Sequence, residues 1–170
     1  MGIICYLEAV DTEQLSDLIS CTDEETMWSL LDSISNQDNT NSLNLQKAWH
    51  GLHFLLTGNK EGSEPLSWVI FGNHSIVDDE EQLPDYCGFG LRYLLPNEVV
   101  IAEILSFITV ENLAANFLPQ VMDKALIYPM NIWVRDGNDG LNWLLMFYDD
   151  LVKFYQKAAS EAKAVLMYTA

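Results

Sequence analysis

An apolar, β-prone segment opens the chain, Ile3 to Val10, and another closes it, Ala164 to Thr169. Neither can bury its apolar side chains alone. Two such segments at opposite ends of a chain are best buried in one shared sheet, and this constrains the fold more than any other feature. A third strand is expected at Phe89 to Leu94, with helical patterns filling the sequence between. The expected fold is α+β, a mixed sheet including the N- and C-terminal strands and packed with several helices. With 170 residues, 49% hydrophobic content and no repeat or linker, residues 1–170 read as a single domain.

The helical patterns carry their own punctuation. Asp11-Thr12 offers an N-cap before Leu15, Leu18 and Ile19, and Thr22 to Glu25 forms a capping box ahead of Met27, Leu30, Leu31 and Ile34. Residues 35–44 read as a polar loop. The clearest helix is capped by Asn44, carries Leu45, Ala48, Trp49, Leu52, Leu55 and Leu56 in one stripe, and stops at Gly58. Pro65 to Phe71 fits a short helix or a strand. Pro96 suits the first turn of a helix running to about Ile108, and Thr109 and Pro119 each start another. Asp136 to Gly140 reads as a tight turn before a long helix from Leu141 to about Lys163, with Leu144, Leu145, Tyr148, Leu151, Val152 and Tyr155 facing inward.

Charge is distributed unevenly. The first 91 residues hold sixteen Asp and Glu against Lys47 and Lys60, so most of the net charge of −17 lies in that half. Such a field repels nucleic acid and anionic membranes, and it attracts cationic ligands or basic protein surfaces. The acids of Asp23, Glu24 and Glu25 and of the run Asp78, Asp79, Glu80 and Glu81 form the candidate interaction surface. No apolar run reaches the ~18 residues a membrane span requires. The segment Met1 to Glu8 lacks the basic n-region of a secretory signal, and Tyr6 stands where a myristoylation motif has Ser or Thr. Three widely spaced cysteines, Cys5, Cys21 and Cys87, suit free thiols in a reducing compartment, so a cytoplasmic location is expected.

No pattern specifies a reaction. His50 and His53 lie three apart on the strong helix, and His74 and Asp78 could add ligands. A zinc site nevertheless needs three or four ligands of defined geometry, and HxxH supplies two. His53 reads as a core-edge histidine and His50 as a solvated one, and no metal is assigned. There is no G-x-S-x-G elbow, no P-loop and no dinucleotide fingerprint, since Gly88-Phe89-Gly90 lacks a third glycine. Cys5 falls within a buried strand, and Asp149 and Asp150 diverge by about a hundred degrees on their helix. No catalytic residue and no cofactor are assigned. Of the tryptophans, Trp133 lies in an irregular stretch after Pro129 and, with Tyr128, is a candidate for lining a pocket or interface.

Several strings carry a resemblance when taken together. They are the opening Met-Gly-x-x-x-Tyr, the run Lys47-Ala48-Trp49-His50-Gly51-Leu52-His53-Phe54-Leu55-Leu56-Thr57-Gly58, and Pro65-Leu66-Ser67 leading to Gly72-x-His74-Ser75. Arg92-Tyr93-Leu94-x-Pro96-x-Glu98-Val99, Ile127-Tyr128-Pro129 and Phe154-Tyr155-x-x-Ala158-Ala159 complete the set. In order and spacing the chain resembles the YfbM-like family of small bacterial proteins, a domain of unknown function. The resemblance implies a cytoplasmic α+β domain and brings no reaction, cofactor or catalytic residue. Trp49, His53, Thr57, Gly58, Tyr128 and Pro129 match recurring positions, which marks a shared site or a shared core. The chain departs at Leu95, where the family pattern has a capping Ser or Thr; a lost cap costs about 1 kcal/mol.

Two functions follow as expectations. The first is a protein-interaction or inhibitory, immunity-type module whose acidic half binds a basic, toxin-like partner protein. The second is an enzyme or small-ligand binder with a pocket near His53, His74, Tyr128 and Trp133, drawing in Trp49 and Thr57.

Overall fold

The computed structural model describes residues 2–37, 39–77 and 89–170. Strand β1 (Cys5–Val10) leads into helices α1 (Thr12–Ser20) and α2 (Glu24–Ser35), a single 3-10 turn and strand β2 (Ser42–Gln46). Helices α3 (Trp49–Thr57) and α4 (Trp68–Phe71) follow, then β3 (His74–Ser75) and β4 (Arg92–Leu94). Helices α5 (Ile101–Phe107), α6 (Val110–Ala115), α7 (Pro119–Lys124), α8 (Trp133–Asp136) and α9 (Asn138–Ser160) precede the last strand, β5 (Ala164–Thr169).

The strands form one sheet in the order β2-β1-β5-β4-β3, so the terminal strands are direct neighbours. Their pairing runs from Cys5 opposite Thr169 to Val10 opposite Ala164. The α+β class stands. The described pairings are all antiparallel rather than mixed, because no two neighbouring strands are joined by a right-handed crossover of the βαβ kind.

Alternation along the strands divides the core in two. Cys5, Leu7, Ala9, Val165 and Met167 face the larger cluster, built with α3, α5 and α9. Val10, Leu91, Ala164 and Leu166 face the other way, onto Leu15 and Leu18 of α1 and Met27 and Leu31 of α2. The molecule is therefore layered, with the α1–α2 hairpin on one face of the sheet and the remaining helices on the other.

Element ends follow local chemistry. The Asp23 side chain accepts the Thr26 N–H at 2.8 Å and caps α2, one residue beyond the expected Thr22. Thr109 caps α6 with a reciprocal bond from its own N–H to Asn112. Gly58 closes α3 with φ of 79°, a left-handed conformation that glycine adopts without a Cβ penalty. Four expectations needed correction. Ser42 to Gln46 is an edge strand, not loop plus helix, so α3 starts at Trp49 behind Ala48. Asn138 to Gly140 form the first turn of α9 rather than a tight turn. Regular helix begins at Ile101, five residues after Pro96, and Phe89 to Leu91 precede β4 rather than belong to it.

Candidate functional site

The family-matching positions Trp49, His53 and Tyr128 come together beneath α3. Trp49 stacks on His50 at 5.0 Å and on Tyr128 at 5.9 Å, and Phe71 and Phe89 meet its ring edge-on. The Tyr128 hydroxyl accepts the Ile3 N–H, and the Tyr128 N–H donates to Nδ1 of His50 at 3.0 Å. That bond leaves the proton of neutral His50 on Nε2. His53 directs Nε2 to the Lys60 carbonyl at 3.0 Å, while its Nδ1 is buried without a partner among the described residues. Thr57 closes the group by donating to the His53 carbonyl at 2.8 Å.

Both histidines are neutral bases. Burial pulls His50 down to about 3, helped by the nearby His53 and Lys60. Burial also pulls His53 down to about 4, against the hydrogen bond to Lys60 and the charge of Glu61. Trp49 and His53 have no exposed surface, and His50, expected to be solvated, is buried beneath Trp49 and the Tyr128 backbone. The cluster is thus a packed aromatic core with two embedded imidazoles.

Trp133 and His74 belong elsewhere. Trp133 is fully buried, with Nε1 donating to the Ile127 carbonyl at 2.8 Å, and Asp123 caps the start of α8 through the Trp133 and Val134 N–H groups. His74 lies at the sheet edge, stacked on Tyr93, with Nε2 at 2.9 and 3.0 Å from the two oxygens of Glu98. Burial pushes the Glu98 carboxyl up, but bonds from the Leu95 N–H, Asn73 and His74 outweigh it and hold it below the ordinary value. The 2.8 Å bond from the Leu95 N–H also supplies half a capping box where Leu95 has no cap of its own. Among the described residues no three His, Cys, Asp or Glu are placed to share a metal ion. Cys5 is buried and its thiol is pushed up by desolvation, which suits packing rather than nucleophilic chemistry.

The candidate acids Asp23, Glu24 and Glu25 occupy the opposite face. From Asp11 to Asp32 the α1–α2 layer carries seven carboxylates and no basic residue, all seven exposed. Among them Ile19 and Trp28 are 47% and 38% exposed, and Trp28 Nε1 donates to Glu24 at 3.0 Å. Trp28 also lines a shallow groove of 310 Å³ with Leu31, Asp32 and the end of β5. The run Asp78 to Glu81 lies outside the described residues.

One residue at this layer escaped the sequence reading. Glu8 projects from β1 toward α1–α2 and is 3% exposed, bonded to the hydroxyl of Ser42. Burial pushes its carboxyl up, against hydrogen bonds from Ser42 and Ser35. It opens on a pocket of 140 Å³ walled by Asp11, Gln14, Gln37, Asn41 and Lys163. The signal was one acid in an otherwise uncharged strand, which apolar patterning smooths over.

The profile of the family described as "Domain of unknown function (DUF1877)" matches residues 1–168. The chain belongs to this family. A curated relative, Protein YfbM of Escherichia coli (strain K12), is 33% identical over 82 residues, which is 46% of this chain and 47% of that relative. The aligned part thus spans about half of that protein's length. The crystal structure of YfbM from Escherichia coli, titled a protein of unknown function, shares the fold with a TM-score of 0.74. It is 22% identical, and the match covers 98% of this chain and 99% of that one.

Within this DUF1877 chain the strings that carried the resemblance serve mainly the larger core. Trp49, His53, Tyr128 and Pro129 pack or line surfaces on the α3–α9 side, whereas the seven acids between Asp11 and Asp32 and the buried Glu8 lie on the α1–α2 side. The family brings no reaction, so function rests on the geometry of this chain. No described helix is long and apolar enough to cross a membrane.

Proposed function

We propose that this protein is a binding module that docks a basic protein surface on its α1–α2 layer, an interaction of the inhibitory, immunity-type kind. The observation that carries the reading is the layer itself, with seven exposed carboxylates and no cation between Asp11 and Asp32. Carboxylates alone steer encounter but bind weakly, because exposed ion pairs contribute about 0–1 kcal/mol each. Stable docking needs apolar anchors, and Trp28, Ile19 and the groove beside Trp28 supply them amid the charge. The field would accelerate association with a cationic partner and lose that effect as salt screens it.

The test compares the wild-type chain with a D17N/E24Q/E25Q variant and with W28A as affinity baits at low and high salt. Asp23 is kept, since it caps α2. The expected outcome is a basic protein held by the wild type at low salt, released at high salt, and lost by both variants. A captured protein that is neutral or acidic, insensitive to salt, or equally retained by the variants overturns the reading.

A further inference from the structure

The pocket beside Glu8 is built for a compact cation. Its floor is a carboxylate with 3% exposure, and acids are almost never buried so fully without a charged partner. Glu8 has hydroxyl partners, Ser42 and Ser35, and no ion pair among the described residues. On the wall, the Lys163 ammonium is shared between Asp11 at 3.9 Å and Glu161 at 3.7 Å, so it does not neutralise Glu8 as well. Glu8, Asp11 and Glu161 against Lys163 and against Lys157, whose ammonium donates to Asn41 on the pocket wall at 3.1 Å, leave one negative charge over, which a monocation balances.

We propose that this pocket binds a guanidinium group, carried by a small molecule or by an arginine of a docked protein. The second source rests on the docking reading above; the first stands without it. Guanidinium fits better than ammonium for three reasons. The carboxylates of Glu8 and Asp11 line the space together with the amide oxygens of Gln37 and Asn41, which already accept from Gln14 at 3.3 Å and from Lys157 at 3.1 Å, and a planar fork with five donors reaches several acceptors at once. Ile34 contributes an apolar wall for the flat face, and guanidinium is the more weakly hydrated cation to transfer from water. The 140 Å³ space is close to the about 150 Å³ of a cavity that admits benzene, ample for the head group and the first carbons of its stem.

The decisive experiment titrates the full-length chain with methylguanidinium at constant ionic strength and follows backbone amide NMR shifts. Methylurea serves as the neutral isostere and methylammonium as the ammonium arm. Saturable shifts at Glu8, Ala9, Asp11 and Gln37 are expected with methylguanidinium, with a Kd on the order of 1 mM. Weaker response is expected to methylammonium, and none to methylurea. E8Q should weaken binding by about tenfold or more, the size of one charge-assisted hydrogen bond. D11N should weaken it less, and K163M should strengthen it by removing a like charge. If E8Q fails to fold, the opposite signs of D11N and K163M decide. Absence of saturable shifts, equal response to methylurea, or no effect of these variants overturns the site. Where methylguanidinium also displaces a captured basic protein, the source is that protein's arginine; where it binds without displacing it, the source is a small molecule. The site thus stands or falls on the titration, and the docking reading on the bait comparison.

Discussion

At the residue scale, the three buried polar side chains, Glu8, His50 and His53, pull stability in opposite directions with pH. The histidines have folded pKa values near 3 and 4, below the ~6.5 of an unfolded imidazole, so the unfolded chain binds the extra protons. Their contribution is complete above about pH 6.5 and is lost as pH falls toward 4, at up to about 1.4 kcal/mol per pH unit per histidine. Glu8 is raised, so its contribution is present at low pH and is lost as pH rises through its folded value. Asp11, Lys163 and Tyr168 face it and modulate that titration. Between pH 6.5 and 5, above the range of most carboxylates, His53→Gln should flatten the fall in Tm while keeping a donor for the Lys60 carbonyl. Glu8→Gln should raise Tm more at high pH than at low pH, because rising pH charges the buried carboxyl of the wild type. Thermal melts across pH check both signs; a wild-type Tm flat from pH 6.5 to 5 would mean the imidazoles reach water. Legibility differed between these residues. His53 was readable as a core-edge histidine from its place beside Leu52 and Leu56, whereas Glu8 was hidden because a strand pattern registers apolar neighbours and not one polar floor.

At the element scale, α3 is held by what it lacks. A Cβ added at Gly51 would lie 2.6 Å from the Trp133 ring and 2.8 Å from Leu144. The glycine lets α3 approach α8 and α9 closely enough to bury Trp133 completely. Alanine raises helix propensity by about 1 kcal/mol, while overpacking costs about 1–3 kcal/mol. Gly51→Ala should therefore lower the urea midpoint, and a raised midpoint would show that Trp133 can retreat. The terminal strands, α1, α2, α6, α7 and the body of α9 were legible because cap, apolar period and stop signal agree there. The errors fell where two periods compete. Leu43 and Leu45 alternate with Ser42, Asn44 and Gln46, but Leu45 also continues the helical stripe of Trp49 and Leu52. Pairing with β1 decides it, and that partner is 34 to 41 residues away in sequence, from Glu8 opposite Ser42 to Cys5 opposite Gln46. The two-residue β3 is too short to leave a pattern, and Asp136 to Gly140 misled because a single glycine, Gly137 with φ of 51°, suffices to break α8 from α9.

At the scale of the whole molecule, the sheet separates two jobs. The α3–α9 side holds the larger core and most residues that mark the family, and the α1–α2 side holds a smaller core beneath an acidic surface. A net charge of −17 on a 19.3 kDa chain repels itself, and of its 25 Asp and Glu only Asp11, Asp136, Asp149 and Glu161 meet a Lys or Arg in the ion pairs of the described residues. Such repulsion opposes compactness and is screened by salt, with a Debye length of about 30 Å at 0.01 M and about 10 Å at 0.1 M. Tm should therefore climb as NaCl rises from low salt, chiefly through the α1–α2 layer, which lacks any base. The D17N/E24Q/E25Q variant should melt higher than wild type at low salt and respond less to added NaCl, since it starts with part of the repulsion removed. Scanning calorimetry over that salt range checks the slope of each. A Tm that falls with salt in wild type would mean that ion pairs such as Lys153–Asp149 outweigh the repulsion, and the acidic layer would then impose no cost on folding. If the slope is positive, a basic ligand on this layer must raise Tm most at low salt, because binding and screening relieve the same repulsion.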